Sequence, residues 1–286
     1  MRGIGLMCGA ILLFSSLDAT AKFLSQELPI LQVIWVRYFT HFALAAIFLN
    51  PWTSPQGWRT GKPLAQSIRG LFLFGSTVFN FLAITYLQLS ETASIFFIAP
   101  LLVALFAVPL LGEKIGIRRW SAILAGFAGV LVVTRPGLGG LSWAALLSVS
   151  GATCYALYAI TTRKLSATES PSSLLLISAG VGAIALLPAM PFVWQWPQAW
   201  TTWALLLLMG VFGGLGHYLL ILGHREAPAP ILAPFTYSGI IWMVGLGYLI
   251  FGDIPTGWTI FGAGIVICSG LYLLYREQQV KNKPKN

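Results

Sequence analysis

The sequence predicts an all-α integral membrane protein whose ten transmembrane helices form two inverted-topology five-helix repeats. Three observations carry that prediction. Hydrophobic residues make up 57% of the 286 positions and charged residues only 9%, a balance far from that of a soluble domain and one that leaves little material for an extramembrane domain. Apolar windows of about 20 residues, the length that crosses a bilayer as a helix, recur near 3–23, 30–49, 68–87, 92–111, 117–134, 141–162, 172–194, 200–222, 229–251 and 256–275. Their apolar residues run continuously instead of alternating, which excludes a β-barrel. The stretch Gly9 to Pro29 also recurs without a gap at Gly151 to Pro171, sharing Gly9/Gly151, Ala10/Ala152, Thr20/Thr162, Lys22/Lys164, Glu27/Glu169 and Pro29/Pro171. Six identities in 21 positions indicate a duplicated unit. Five spans separate the starts of the two copies, and an odd number inverts the second.

Each element follows from its residues. Arg2, an apolar run and Ala19-Thr20-Ala21 imitate a cleaved signal peptide, but Gly9 to Lys22 matches an internal helix that nothing could remove, so the first span is expected to stay. Pro51 to Gln66, with Pro, Gly and basic residues, reads as a cytoplasmic connection between the second and third spans. Gly112-Glu113 and Gly252-Asp253 close the fourth helix of each half, and each is followed by Trp-[Ser/Thr]-x-x-x-Ala-Gly, at Trp120 to Gly126 and Trp258 to Gly264. The halves divide near Pro136 to Gly140, giving a first repeat over 1–138 and a second over 139–286 with a short basic cytoplasmic tail. Gly and Ala stripes, with Gly126 and Gly129 at GxxG spacing, let helix backbones approach closely. Cys8, Cys154 and Cys268 all fall within spans, where packing is their expected role and a disulfide framework is not.

The net charge of +9 raises the question of a nucleic-acid or anionic partner, and the placement of the basic residues decides it. With a cytoplasmic N-terminus, fourteen of the seventeen Lys and Arg fall inside: Arg2, Arg59, Lys62, Arg69, Lys114, Arg118, Arg119, Arg163, Lys164, Arg225, Arg276, Lys281, Lys283 and Lys285. Only Lys22 and Arg135 fall outside, with Arg37 within the membrane. This positive-inside bias places both termini in the cytoplasm, so the basic balance is topological.

Ten spans in two halves, the Pro100 to Gly112-Glu113-Lys114 stretch, and its counterpart from Pro234 to Gly252-Asp253 followed by Trp258 and a Gly-rich last helix resemble the EamA type of the drug/metabolite transporter superfamily. The resemblance covers essentially the whole chain. Asp253 stands where the second half of the family usually has Glu, a change that keeps the charge. Within the group, the aromatic content and the lack of an added domain are most similar to bacterial amino-acid exporters, the aromatic ones in particular. The resemblance implies a central cavity built from helices one to four and six to nine, with five and ten at the periphery, and export of small metabolites by alternating access.

Several polar groups are candidates for that cavity. Arg37 sits near the middle of the second span, where an ionisable side chain costs roughly 2.5 to 3.5 kcal/mol on insertion scales. Asp18 reaches a similar depth on the antiparallel first span, and Lys22, one turn from Asp18, competes as its partner. Arg37 is therefore read as a structural ion pair with Asp18, as a binder of a substrate carboxylate, or as a snorkelling cation. His41, one turn beyond Arg37, is read first as a helix-packing residue. Aligning Phe79 to Ile84 with Gly216 to Ile221 puts Asn80 and His217 at symmetric, aromatic-flanked places. An interhelical hydrogen bond and a cavity role explain them equally well. Gly210, Gly213, Gly214 and Gly216 do not form a nucleotide-binding fingerprint. Pro100, Pro228, Pro230 and Pro234 free backbone carbonyls that line a cavity or bend a gate, or simply start helices.

Trp52, Trp58, Trp143, Trp194, Trp196, Trp200 and Trp203 lie near span ends and read as belt anchors. Phe79, Phe81, Tyr155, Tyr158, Tyr237 and Trp242 lie inside helices that the resemblance places round the cavity. Core packing is the simpler reading of any one of them; together they favour an organic, partly apolar substrate. The expected substrate-binding set is Asn80, His217, Phe79, Tyr155, Tyr158, Tyr237, Trp242 and Arg37.

The reading is a secondary transporter that exports small organic metabolites, amino acids and preferably aromatic ones, across the bacterial cytoplasmic membrane. A channel would want a ring of like side chains, and an intramembrane enzyme a nucleophile with a base or paired metal ligands. The asymmetric scatter of Asn80, His217 and Tyr237 supplies no such ring, and three scattered histidines with only one intramembrane carboxylate argue against the enzyme. The implied partners are a small-molecule substrate and membrane lipid, with no nucleic acid, metal or cofactor, and a monomer as the expected state. Cysteines introduced at position 118 or in the tail should resist a membrane-impermeant thiol reagent applied to intact cells and react after permeabilisation. Labelling of either from outside would invert the topology.

Overall fold

The computed structural model describes residues 2–52, 54–112, 116–135, 143–226 and 232–281, and every regular element among them is helical. Nine helices in this set are long and apolar enough to cross a bilayer, and a tenth, shorter apolar segment covers Phe235–Phe251. The spans in order are Arg2–Leu24, Ile30–Phe48, Pro63–Ile84, Leu89–Leu111, Ile117–Thr134, Trp143–Leu165, Pro171–Val193, Trp200–Glu226, Phe235–Phe251 and Gly257–Lys281. The third begins earlier than hydropathy alone places it. Pro63 occupies its first turn, where a missing N–H costs nothing because no helical partner exists there. That extension places Arg69 in the second turn of the helix and buries it in the bundle.

Breaks in the helices also follow the sequence. The fourth span consists of Leu89–Phe96 and Ala99–Leu111, and Pro100 sits in the first turn of the second segment, since within a continuous helix it would remove one hydrogen bond and crowd the carbonyl four residues back. The ninth opens as a 3-10 turn, Ala233–Ser238, with Pro234 in its first turn, and continues as the helix Gly239–Phe251. Both spans end on a glycine with φ of 70°, Gly112 and Gly252. The N–H of Gly112 bonds back to Ala107 and Val108, and that of Gly252 to Gly247 and Tyr248, the left-handed C-cap that glycine adopts without Cβ strain. Glu113, Pro228, Pro230 and the expected half boundary at Pro136 to Gly140 lie outside the described residues.

The two halves interlock. The first span packs on the eighth and the third on the sixth, the second on the eighth and the third on the seventh, while the second and seventh meet, as do the fifth and tenth. Exchanging spans one to five with six to ten leaves this set of pairings unchanged, as an inverted repeat requires. Phe97 and Tyr237, equivalent by the alignment that equates Gly112 with Gly252, meet edge to face with centroids 5.1 Å apart. The repeated glutamates take equivalent places too. Glu27 accepts a hydrogen bond from Thr202 at 3.2 Å, and Glu169 accepts one from Thr60. The Thr60 hydroxyl, helped by the Gln66 amide and the Gly61 N–H, holds the Glu169 carboxyl below its ordinary value of 4.5.

Close approach at glycine sets these packings. Gly151 lies on the backbone of the third span at Ser76 and Asn80, and its counterpart Gly9 lies on Leu219 of the eighth. Between the fifth and tenth spans, a Cβ on Gly129 would stand 3.0 Å from the Gly262 carbonyl oxygen, and one on Gly262 2.7 Å from that of Gly129. Backbone cannot yield there as a side chain would. Gly262→Ala should therefore lower stability by about 1–3 kcal/mol, read as an earlier thermal transition in detergent. Gly264→Ala, whose Cβ would meet nothing within 4 Å, should leave the transition in place, and equal effects of the two would dissociate glycine contact from stability.

Candidate functional site

A central cavity of about 360 Å³ is lined by residues of spans one, two, three, four, six, eight and nine, and by none of the fifth or tenth. Of the residues expected to bind substrate, Arg37, Asn80, Tyr155, Tyr158, His217 and Tyr237 line it. Phe79 and Trp242 do not. Each is one residue from a lining position, Asn80 and Met243 respectively, and one residue is about 100° around a helix. Phe79 instead packs against Gly151 of the sixth span, whose Cβ would stand 3.5 Å from that of Phe79.

The charged groups depart from the simplest pairing. No ion-pair contact joins Asp18 to Arg37, although the Arg37 charge is close enough to act on Asp18. Asp18 accepts a long hydrogen bond from Asn80 Nδ2 at 3.4 Å. Similar depth on adjacent helices thus brought the two into one cavity without turning them onto each other. Lys22 does not turn back to Asp18 either; its ammonium meets Asp253 Oδ2 and the Leu87 carbonyl, each at 3.0 Å, and lies 4.8 Å from the centre of the Phe251 ring. This contact joins the first and ninth spans with the turn between the third and fourth, one end of the cavity walls.

Arg37 is 5% exposed, its guanidinium stands 4.4 Å from the centre of the Tyr38 ring, and its Nε and Nη1 are buried with no hydrogen-bond partner. Buried N–H groups are rarely left so, and a cationic fork with free donors matches a carboxylate. His217 stacks on His41, with centroids 5.7 Å apart, and meets Phe14 edge-on. His41 is packed between the second and eighth spans, outside the cavity lining, with its Nε2 buried and unpartnered. The glycine run that the sequence excluded as a phosphate loop lies within the continuous eighth span and seats these groups: a Cβ on Gly213 would stand 3.9 Å from His41 Nδ1 and 4.0 Å from Arg37 Nε.

Aromatic side chains form the remaining walls. Phe96 and Tyr155 have centroids 5.6 Å apart, Tyr155 and Tyr158 6.1 Å, and Phe81 and Phe97 contribute further rings. Sequence reasoning missed Phe14, Phe96 and Phe97, which its helical windows carry as ordinary apolar residues, and it assigned Arg69 no place in the packing. That guanidinium is 1% exposed, donates to the Leu174 carbonyl, to Ser178 at 2.6 Å and to Thr162 at 3.0 Å, and lies 5.0 Å from the centre of the Tyr158 ring. Proline at position 63 was the available signal, because a helix start there puts Arg69 in the second turn.

Two stretches of the chain, residues 1–135 and 142–276, match the model of the EamA-like transporter family. The S-adenosylmethionine uptake transporter of Rickettsia conorii is 29% identical over 99% of this chain and 96% of its own. A riboflavin transporter of Vibrio cholerae is 28% identical over 100% and 97%, and the pseudopaline exporter CntI of Pseudomonas aeruginosa 26% identical over 95% of each. A crystal structure of a protein 17% identical superposes with a TM-score of 0.68 over 98% of this chain and 99% of that one, and so shares its fold.

The Asp18–Asn80 contact should appear in a double-mutant cycle on thermal stability. Asp18→Asn and Asn80→Leu should depart from additivity by about 0.6 kcal/mol, the average for hydrogen bonds between membrane helices. Strictly additive effects would mean that the two side chains act apart.

Proposed function

Because the chain belongs to the EamA-like transporter family, we propose that the central cavity binds a small zwitterionic metabolite carrying a planar apolar group, and that the two halves move it across the membrane by alternating access. The observation that carries this reading is Arg37, which keeps two buried, unpartnered nitrogens and lines the cavity together with the Asp18 carboxylate and an aromatic wall. Arg37 takes the substrate carboxylate, Asp18 with Asn80 takes the ammonium, and His217 borders the polar end. Phe14, Tyr155, Tyr158 and Tyr237 hold the planar part. Aromatic amino acids, the export substrates favoured by the sequence resemblance, have this form. S-adenosylmethionine, named for the relative from Rickettsia conorii, presents the same α-ammonium and carboxylate together with a planar base. The relatives' names include both uptake and export, so the substrate class rests on the cavity and the export direction on the motif resemblance alone.

In this reading the protein lies in a bacterial inner membrane with both termini cytoplasmic, and the Lys22–Asp253 contact closes the outer end of the cavity. Such an ion pair, partly exposed and shared with the Leu87 carbonyl, is weak enough to part when substrate binds.

Counterflow in proteoliposomes tests the proposal. Preloading with an unlabelled aromatic amino acid or S-adenosylmethionine should accelerate entry of the same labelled compound, and flux should saturate. An aromatic amine lacking the carboxylate should compete poorly. Arg37→Gln should weaken the zwitterion's apparent affinity about ten- to a hundredfold, the worth of a hydrogen bond to a charged group, and abolish the preference over the amine. Asn80→Leu and His217→Leu should abolish transport or alter substrate preference in folded protein. Flux linear in concentration and indifferent to preloading would remove the transporter mechanism.

A further inference from the structure

Away from the cavity, the fifth and tenth spans flank a groove of about 820 Å³ lined by Ala122, Ala125, Gly264, Ile265, Cys268 and Tyr272 among others. Its walls are apolar. The two serines that border it, Ser121 and Ser269, turn their hydroxyls onto carbonyls of their own helices, Arg118 and Val266, each at 2.9 Å. The groove therefore offers a guest mainly carbon contacts, with the Tyr272 hydroxyl and the Cys268 thiol as its remaining polar groups. Gly264, Cys268 and Tyr272 are exposed along it, and Gly264 leaves open the space its Cβ would fill.

One rim is basic. The spans run antiparallel in a fixed register, Gly126 lying against Ser269, Gly129 against Val266 and Val133 against Gly262. Each step back along the fifth span is matched by a step forward along the tenth, and continuing to the rim brings Arg119 level with Arg276. Arg118 and Arg119 stand one turn before Ser121 and Ala122, and Arg276 one turn beyond Tyr272, so all three lie at the same end of the groove. Arg118 is exposed, Arg119 and Arg276 half-buried. Arg276 Nη1 donates to the Gln279 side chain at 2.9 Å. An apolar channel with three arginines placed one turn beyond its lining at one end has the charge pattern of an acidic lipid site.

We propose that this groove is a binding site for an anionic phospholipid, with an acyl chain between the fifth and tenth spans and the phosphate headgroup held by Arg118, Arg119 and Arg276. A second copy of the chain fits less well, because a two-fold axis along the membrane normal would set these arginines against their own copies in the same leaflet. The site is independent of the substrate proposed above, and it gives the peripheral pair of spans a role that the cavity does not supply.

Native mass spectrometry of the full chain, delipidated and offered equal phosphatidylglycerol and phosphatidylcholine of identical chains, tests the site. The wild type should retain phosphatidylglycerol preferentially. Each arginine replaced by glutamine should reduce that preference roughly fivefold, and the triple variant should bind the two lipids alike. Gly264→Phe, which fills the groove, should lose both lipids while keeping its arginines, and glycerol phosphate without chains should fail to compete. Equal retention of the two lipids by the wild type, an unaltered preference in the triple variant, or a dimer that Gly264→Phe dissociates would each overturn the proposal, the last by showing that a second copy covers the groove. Thermal unfolding of every variant, measured alongside, separates lost binding from lost folding.

Discussion

Helices surrounded by lipid gain little from hiding apolar side chains against one another, so what holds this bundle together is how closely their backbones can approach. The approach is closest where the halves cross. Gly151 of the second half lies on the third span, Gly9 of the first half lies near the eighth, and Gly129 and Gly262 stand against each other between the fifth and tenth. Because the contacts run between halves more than within them, neither half encloses the cavity alone. The same crossing makes the cavity responsive, since any rotation of one half against the other must change its walls.

Charge inside such a bundle has to be matched or used, and the chain does both. Arg69 is matched: two hydroxyls, a carbonyl and the Tyr158 ring surround it between the third, sixth and seventh spans. Its cost of burial is offset locally, which marks it as a structural tie that also fixes a ring of the cavity wall. Arg37 is unmatched at two of its nitrogens. Arg69 leaves only its Nε unpartnered while both terminal nitrogens are engaged by the fold, whereas Arg37 leaves Nε and Nη1 unpartnered and lines the cavity. That contrast separates a group that holds the fold from one that is open to a ligand.

The arrangement also divides the molecule by role. Polar and aromatic groups converge at the centre on spans that change partners across the two halves. The fifth and tenth spans pair chiefly with each other and turn an apolar groove outward. A substrate that carries both charges and a flat ring suits the first surface, and a lipid suits the second.

The fold was legible in the sequence because a bilayer imposes one rule on every span, about 20 apolar residues in helical form, and because Gly9 to Pro29 repeats at Gly151 to Pro171. Helix ends were legible where special backbone was needed, as at Gly112 and Gly252. The site was legible in part. Intramembrane polar residues are scarce enough that Arg37, Asn80 and His217 stand out, and all three line the cavity. Which side chains face one another was beyond sequence, since a residue's depth follows from its position in a span while its direction depends on the rotation of that helix against its neighbours. That rotation turned Asp18 to Asn80 instead of Arg37, sent Lys22 to Asp253, and left Phe79 and Trp242 behind the cavity wall. Composition and repeat determined how many helices there are and how they are threaded; the packing of glycine against backbone decided how each is turned, and with it the chemistry of the cavity.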